Sequence, residues 1–351
     1  MMNKSKKIII GISIGDFNGV GIEIILKTFL DKRMLDFCTP IVFGSTKLIS
    51  AYKKGMDLNI PFNGIKQINR AIHGKLNILN IWDEEIKINL GIPTEASGNY
   101  AFKSLEAATN SLVNNEIDIL VTAPINKDNI QSENFKFPGH TEYLESKLNG
   151  ESLMILMENN LRIGLITGHI PISKVAETIT PDLIQKKVAI LYQTLVQDFA
   201  ISKPKIAILG LNPHCGDNGV IGSEDDEIIK PTITEIQNEN KLVYGPYAAD
   251  SFFGSENYKN FDAILAMYHD QGLAPFKTLS FGKGVNFTAG LDKIRISPDH
   301  GTAYDLAGRG IANFNSFKEA IFSGIEIFRT RNEYKSLTKN SLKVRKQKEK
   351  Q

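Results

Sequence analysis

Residues 262–277 read DAILAMYHDQGLAPFK. Seven mostly apolar residues, Asp262 to Tyr268, run into His269 and Asp270, and a glycine, a proline and Lys277 follow. A run this short and apolar fits a strand buried on both faces, as in a parallel sheet. The Gly and Pro that follow predict a turn ending in the Lys277 cation. Similar runs recur: KIIIGIS, TPIVFG, DILVTA, LMILM, RIGLIT and KIAILGL. Between them lie helical patterns. In TPDLIQKKVAILYQTLVQDFA, Thr180 suits a cap and Pro181 the first turn, and Ile184, Val188, Leu191 and Leu195 share one face. ASGNYAFKSLEAATNSLVNN reads the same way. Strands alternating with amphipathic helices predict an α/β fold with a largely parallel sheet. In such folds the chemistry gathers where strand ends open into loops.

The 351 residues are 42% hydrophobic and 23% charged, ordinary globular values. That length fits two domains, or one large α/β body with a split core. Two cysteines, Cys38 and Cys215, point to a reducing compartment rather than a disulfide framework. The N-terminal MMNKSKKIIIGISIG reads as a first strand rather than a signal peptide, and no run reaches transmembrane length. A cytoplasmic protein without membrane contact is expected. The net charge of +2 is uneven, since residues 331–351 hold eight Lys/Arg and two Glu. That segment reads as a solvated tail, and with no interleaved aromatics it does not indicate nucleic acid.

Three of the six histidines, His169, His214 and His269, follow RIGLIT, KIAILGL and DAILAMY, with spacings of 45 and 55 residues. Three imidazoles from separate strands suit one divalent metal with open positions. The competing reading is three separate histidines bonded to loop carbonyls. Cys215, beside His214, is either a fourth ligand or a small buried thiol. His140, Thr141, Lys277 and Arg295 supply cations and hydroxyls for an anionic substrate carrying phosphate or carboxylate. GISIGDFNGVGIEI tempts a dinucleotide reading, but the third glycine of that fingerprint falls at Ile24. A glycine turn entering a helix still suits an anion.

GDFNGVGIEI, VTAPINK, FPGHTEYL, TGHIP, GLNPHCGDNG, GPYAADSFF, MYHDQGLAPFK, GVNFTAGL and RISPDHGTAYDLAGRG occur in order. Together, over about residues 7 to 330, they resemble the 4-hydroxythreonine-4-phosphate dehydrogenase family, NAD-dependent oxidoreductases of pyridoxal 5′-phosphate biosynthesis. The resemblance implies a fold like that of isocitrate and isopropylmalate dehydrogenases. Two α/β domains flank a cleft, and a homodimer shares its active sites. Residues 1–125 and 300–335 would form the larger domain, 126–299 the second, and 336–351 a basic tail. The implied metal ligands are His169, His214 and His269, binding zinc, magnesium or cobalt. The implied substrate contacts are His140, Thr141, Lys277, Asn286 and Arg295, with Pro275 stiffening the turn between His269 and Lys277. HGTAYDLAGRGIAN resembles the HGSAPDIAGKGIAN loop that holds NAD in the wider group, which assigns His300, Gly301, Thr302, Ala303 and Asp305 to NAD or NADP. Besides His269, Asp270 and Asp250 are the implied catalytic groups, orienting a ligand or moving a proton.

The expected reaction oxidises 4-phosphooxy-threonine at C3 and releases the carboxylate, giving 3-amino-2-oxopropyl phosphate. A paralogue acting on threonate or erythronate phosphate would keep the same histidines. A phosphate acyltransferase of similar fold would need neither metal nor NAD, so the histidines and the HGTAYDLAG loop stand against it. A metal-binding protein without catalysis leaves Lys277 and Arg295 unexplained. Phe17 and Asn18 stand where the family has Pro-Ala, and Ile22 where it has a second proline. The rigidity of that turn must therefore come from other contacts.

Overall fold

The computed structural model describes residues 7–341. Its strands are β1 (Ile9–Ser13), β2 (Thr39–Gly44), β3 (Phe62–Ile65), β4 (Leu76–Asn80), β5 (Ile119–Thr122), β6 (Gly150–Glu158), β7 (Leu161–Leu165), β8 (Lys205–Leu209), β9 (Leu242–Tyr247), β10 (Ala263–Ala266), β11 (Val285–Leu291) and β12 (Ile294–Pro298). Among the described residues they form one 12-stranded sheet, ordered β3-β4-β2-β1-β5-β12-β11-β6-β7-β10-β8-β9. Pairing is parallel except at β12–β11, β11–β6 and β6–β7. The α/β class is as expected, with an antiparallel centre that the apolar runs did not disclose. No helix among the described residues is long and apolar enough to cross a membrane.

The helix Pro181–Asp198 forms where its pattern predicts. Thr180 Oγ1 accepts Leu183 N at 3.2 Å, and Ile184, Val188, Leu191 and Leu195 are fully buried. The helix Asn315–Thr338 packs on β12 and on this helix. Arg331 and Asp198 join the two through a fork, Nε to Oδ1 at 2.7 Å and Nη2 to Oδ2 at 2.6 Å. Arg331 is thus a buried ion-pair member, although its charge is counted with those of the basic segment. The tail expected over 336–351 lies outside the described residues beyond 341.

The turn expected after Asp270 is instead a helix, His269–Ser280, with Pro275 inside it. Tertiary packing overrides the local signal. Leu273 and Phe276 are buried one turn apart. Gly272 lies so close to Ala266, Ile163 and Leu165 that a Cβ would meet each at 3.0 Å. Gln271 ties the start of the helix down, accepting Met267 N at 2.7 Å and donating to Gly210 O at 2.6 Å.

Candidate active site

A cavity of about 270 Å³ opens at the centre of the sheet. The period-2 alternation of the antiparallel strands builds its floor. On β11, Val285, Phe287 and Ala289 are buried in the core, while the alternate Asn286 lines the cavity. On β12, Ile294 and Ile296 pack inward, while Arg295 and Ser297 face the cavity. Register sets Arg295 opposite Thr288, and Ser297 opposite Asn286.

Arg295 is 2% exposed, yet its partners are neutral. Nε and Nη2 donate to Thr122 Oγ1 at 3.1 and 2.7 Å, and Nη1 donates to Thr288 Oγ1 at 3.1 Å. Burial pulls the guanidinium down to about 9, and the charge of Glu142 opposes that. A buried cation without a paired anion is costly unless a ligand compensates it. Lys277 and Lys127 line the same cavity, and Lys277 Nζ donates to Asp299 O at 3.0 Å.

The helix His140–Lys147 points its start into this cavity through Gly139, His140, Thr141 and Glu142. No side chain caps it, so its first amides are open to an acceptor. Burial, then Arg295 and Lys127, holds the His140 imidazole well below its usual range and therefore neutral. His140 Nε2, Asn286 Oδ1, Glu142 Oε2 and His300 Nε2 are buried and meet no hydrogen-bond partner. Four such atoms around one cavity fit a polar ligand.

His169 and His269 line the cavity with ring centroids 5.3 Å apart. Each has a carboxylate on Nδ1: Glu142 Oε1 at 3.7 Å from His169, and Asp270 Oδ1 at 2.8 Å from His269. The His169 contact holds Glu142 below the ordinary carboxylate range. Asp270 on Nδ1 directs the Nε2 of His269 to a metal, and Glu142 stands at ion-pair distance behind His169, so this pair fits a borderline divalent ion. His214 is not in the cavity. It is exposed on a loop where His214, Cys215, Asp217 and Asn218 are all left-handed, with φ of 53, 54, 45 and 55°. Among the described residues no three His, Cys, Asp or Glu side chains converge as a metal set. Cys215 is half-buried, and burial, then the charge of Asp225, pushes its thiol up. Asp250 does not line the cavity.

His300 and Gly301 line the cavity, while Thr302, Ala303 and Asp305 lie beyond it. The glycine turn at 15–21 is no anion site, because it is buried against this second loop. Val20 N donates to Thr302 O at 2.9 Å, and a Cβ on Gly19 would sit 2.6 Å from that oxygen. Asn18 is fully bonded. Its Oδ1 accepts Asn89 N at 2.9 Å, and its Nδ2 donates to Ile92 O at 2.9 Å and Thr94 Oγ1 at 3.2 Å. Sequence reasoning missed Thr122, Lys127, Glu142 and Thr288 as site residues. All four sit inside motifs already singled out, and Thr288 is two residues from Asn286 on the same strand face.

A buried guanidinium on the sheet floor, an open helix start and a histidine pair beside strand ends define an α/β enzyme site for a small anionic molecule. The chain belongs to the family described as pyridoxal phosphate biosynthetic protein PdxA, whose family model matches residues 36–323. It is 50% identical to a 4-hydroxythreonine-4-phosphate dehydrogenase of Bacteroides thetaiotaomicron, covering 97% of this chain and 94% of that one. It is 36% identical to a D-threonate 4-phosphate dehydrogenase of Cupriavidus necator, covering 91% and 97%. A crystal structure of a 4-hydroxythreonine-4-phosphate dehydrogenase from Burkholderia phymatum superposes with a TM-score of 0.75 at 33% identity, covering 92% and 99%. These relatives are dehydrogenases, so the chain is an oxidoreductase by family.

Proposed function

We propose that this protein oxidises 4-phosphooxy-L-threonine at its C3 hydroxyl, with NAD or NADP as hydride acceptor, in cytoplasmic pyridoxal 5′-phosphate biosynthesis. The 3-keto acid then loses its carboxylate as carbon dioxide, giving 3-amino-2-oxopropyl phosphate. Arg295 carries this reading: a buried guanidinium with hydroxyl partners alone, facing a cavity that Lys277 and Lys127 also line. When bound, a zinc, magnesium or cobalt ion would polarise the reacting oxygen, and the nicotinamide would take the hydride.

The chain's own groups do the rest. Arg295, Lys277 and the open start of the helix His140–Lys147 bind the two anionic ends. Neutral His140 and Thr141 offer single hydrogen bonds, and Asn286 orients the carbon chain between the anions. His169 and His269 would hold the metal, with Glu142 and Asp270 fixing their rings. His214 would complete the set from a second copy, which makes the site shared in a homodimer. Ile170 and Ile172 beside His169 are 37% and 71% exposed, and Val220 and Ile221 near His214 are 81% and 42% exposed, as an interface requires. We assign removal of the C3 hydroxyl proton, as the hydride leaves C3 itself, to Asp250, which would arrive with the His214 loop. The cleft would lie between residues 1–125 with 300–335 and residues 126–299. His300, Gly301, Thr302, Ala303 and Asp305 would carry the dinucleotide.

The Cupriavidus relative supports a second substrate, D-threonate 4-phosphate, which presents the same two anionic ends and differs at C2. The reading is tested by NADH formation from 4-phosphooxy-L-threonine, with and without chelator. Turnover that a chelator abolishes and zinc or cobalt restores, with 3-amino-2-oxopropyl phosphate as product, is expected. No reduced nucleotide under any metal condition overturns it.

A further inference from the structure

Asp16 lies outside the cavity and is fully buried, yet its carboxylate joins three of the surrounding loops. Oδ1 accepts Asn18 N at 2.8 Å. Oδ2 accepts Ser97 Oγ at 2.7 Å, Asn129 Nδ2 at 2.7 Å and the Tyr304 hydroxyl at 2.9 Å. The Asp16 amide donates to Pro124 O at 2.9 Å. All these donors are neutral, so hydrogen bonds alone hold this buried carboxyl group. Two of the joined loops are walls of the cavity. The loop after β5 supplies Lys127, and the loop holding Tyr304 supplies His300 and Gly301.

The same N-terminal region grips the second loop further along. Glu23 Oε1 accepts Ala312 N at 2.9 Å, and Lys27 Nζ donates to Gly310 O at 2.7 Å. Within this grip Tyr304 stands where the similar loop HGSAPDIAGKGIAN has proline. A proline ring restrains the backbone by itself. Here a hydroxyl–carboxylate bond supplies the restraint, and burial, aided by Asp16, keeps the Tyr304 hydroxyl protonated as a donor.

We infer that Asp16 is a positioning residue. Through Tyr304 it fixes the 300–305 loop against the Lys127 wall and so sets the cofactor side of the cavity. The inference rests on the reading above that the dinucleotide lies along 300–305. Tyr304→Phe removes one hydroxyl and leaves the ring. It should raise KM for NAD about tenfold, with KM for the phosphorylated substrate and Tm nearly unchanged. Asp16→Ala should raise KM for NAD further, and Asp16→Asn, which keeps one acceptor oxygen, should fall between. NAD binding by the wild type, read directly by calorimetry, separates the two claims. If the wild type binds NAD and Tyr304→Phe binds it equally well, the positioning role is overturned alone. If both KM values rise together with a fall in Tm, Asp16 is merely structural and the inference is equally overturned. A wild type that binds neither NAD nor NADP overturns the inference and the cofactor reading together.

Discussion

Arg295 Nη2 lies 2.7 Å from Thr122 Oγ1, so a guanidinium that is 2% exposed rests on a neutral hydroxyl. Structural arginines at such depth are paired; Arg331, forked onto Asp198, shows the contrast within this chain. The unpaired one faces the cavity.

Arg295→Met therefore separates stability from binding. Removing an unpaired buried cation should leave stability equal or higher by up to about 2 kcal/mol. KM for the phosphorylated substrate should rise by roughly 10- to 1,000-fold, the worth of one or two charge-assisted contacts. Denaturant unfolding and steady-state kinetics on one preparation check both. A large loss of stability with unchanged KM would make Arg295 structural.

His140 predicts an acid weakness. Its folded imidazole is held well below the usual range, chiefly by burial. The unfolded chain takes up a proton there below about pH 6.5 that the folded chain refuses. Stability thus falls as pH drops through that value, by up to about 1.4 kcal/mol per pH unit from this group. His140→Asn should flatten the fall in Tm between pH 7 and 5. Parallel curves for the two proteins would refute this.

Glu142 and Asp270 back the His169 and His269 rings. Glu142→Gln and Asp270→Asn should each weaken zinc or cobalt binding by about 10- to 100-fold. Metal titration of the purified protein measures this without turnover. Unchanged affinity in both variants would mean that the two histidines hold no metal.

If His214 completes the site from a second copy, His214→Ala and His169→Ala variants should each be inactive, yet active when mixed. Each hybrid dimer keeps one intact site, so random exchange restores up to about a quarter of wild-type activity. No recovery after exchange is verified by mass would place all three ligands in one chain.

Much of this fold is legible as apolar runs, because β1, β2, β5, β8 and β10 are parallel strands buried on both faces and β7 is parallel to β10 on one side. The centre is not. In β11 and β12 one face is the cavity, so Asn286, Thr288, Arg295 and Ser297 interrupt the runs. The edge strands β3 and β9 are half-exposed and carry no continuous apolar run. The motif histidines stood out, but their convergence did not. β7, β10 and β8 are neighbours in the sheet, yet the left-handed run at 214–218 carries His214 away from the other two. The helix His269–Ser280 was hidden because Gly272 and Pro275 signal a turn, and only the packing of Gly272 on β7 and β10 reverses that.

This cavity is expected to select a phosphorylated hydroxy-amino acid. The direct measurement is kcat/KM for NAD reduction with 4-phosphooxy-L-threonine, D-threonate 4-phosphate and unphosphorylated 4-hydroxy-L-threonine, in zinc- or cobalt-loaded protein. The highest value is expected for 4-phosphooxy-L-threonine, and a loss of at least about 100-fold without the phosphate, since a buried guanidinium is then left uncompensated. Equal turnover of the phosphorylated and unphosphorylated compounds would contradict it.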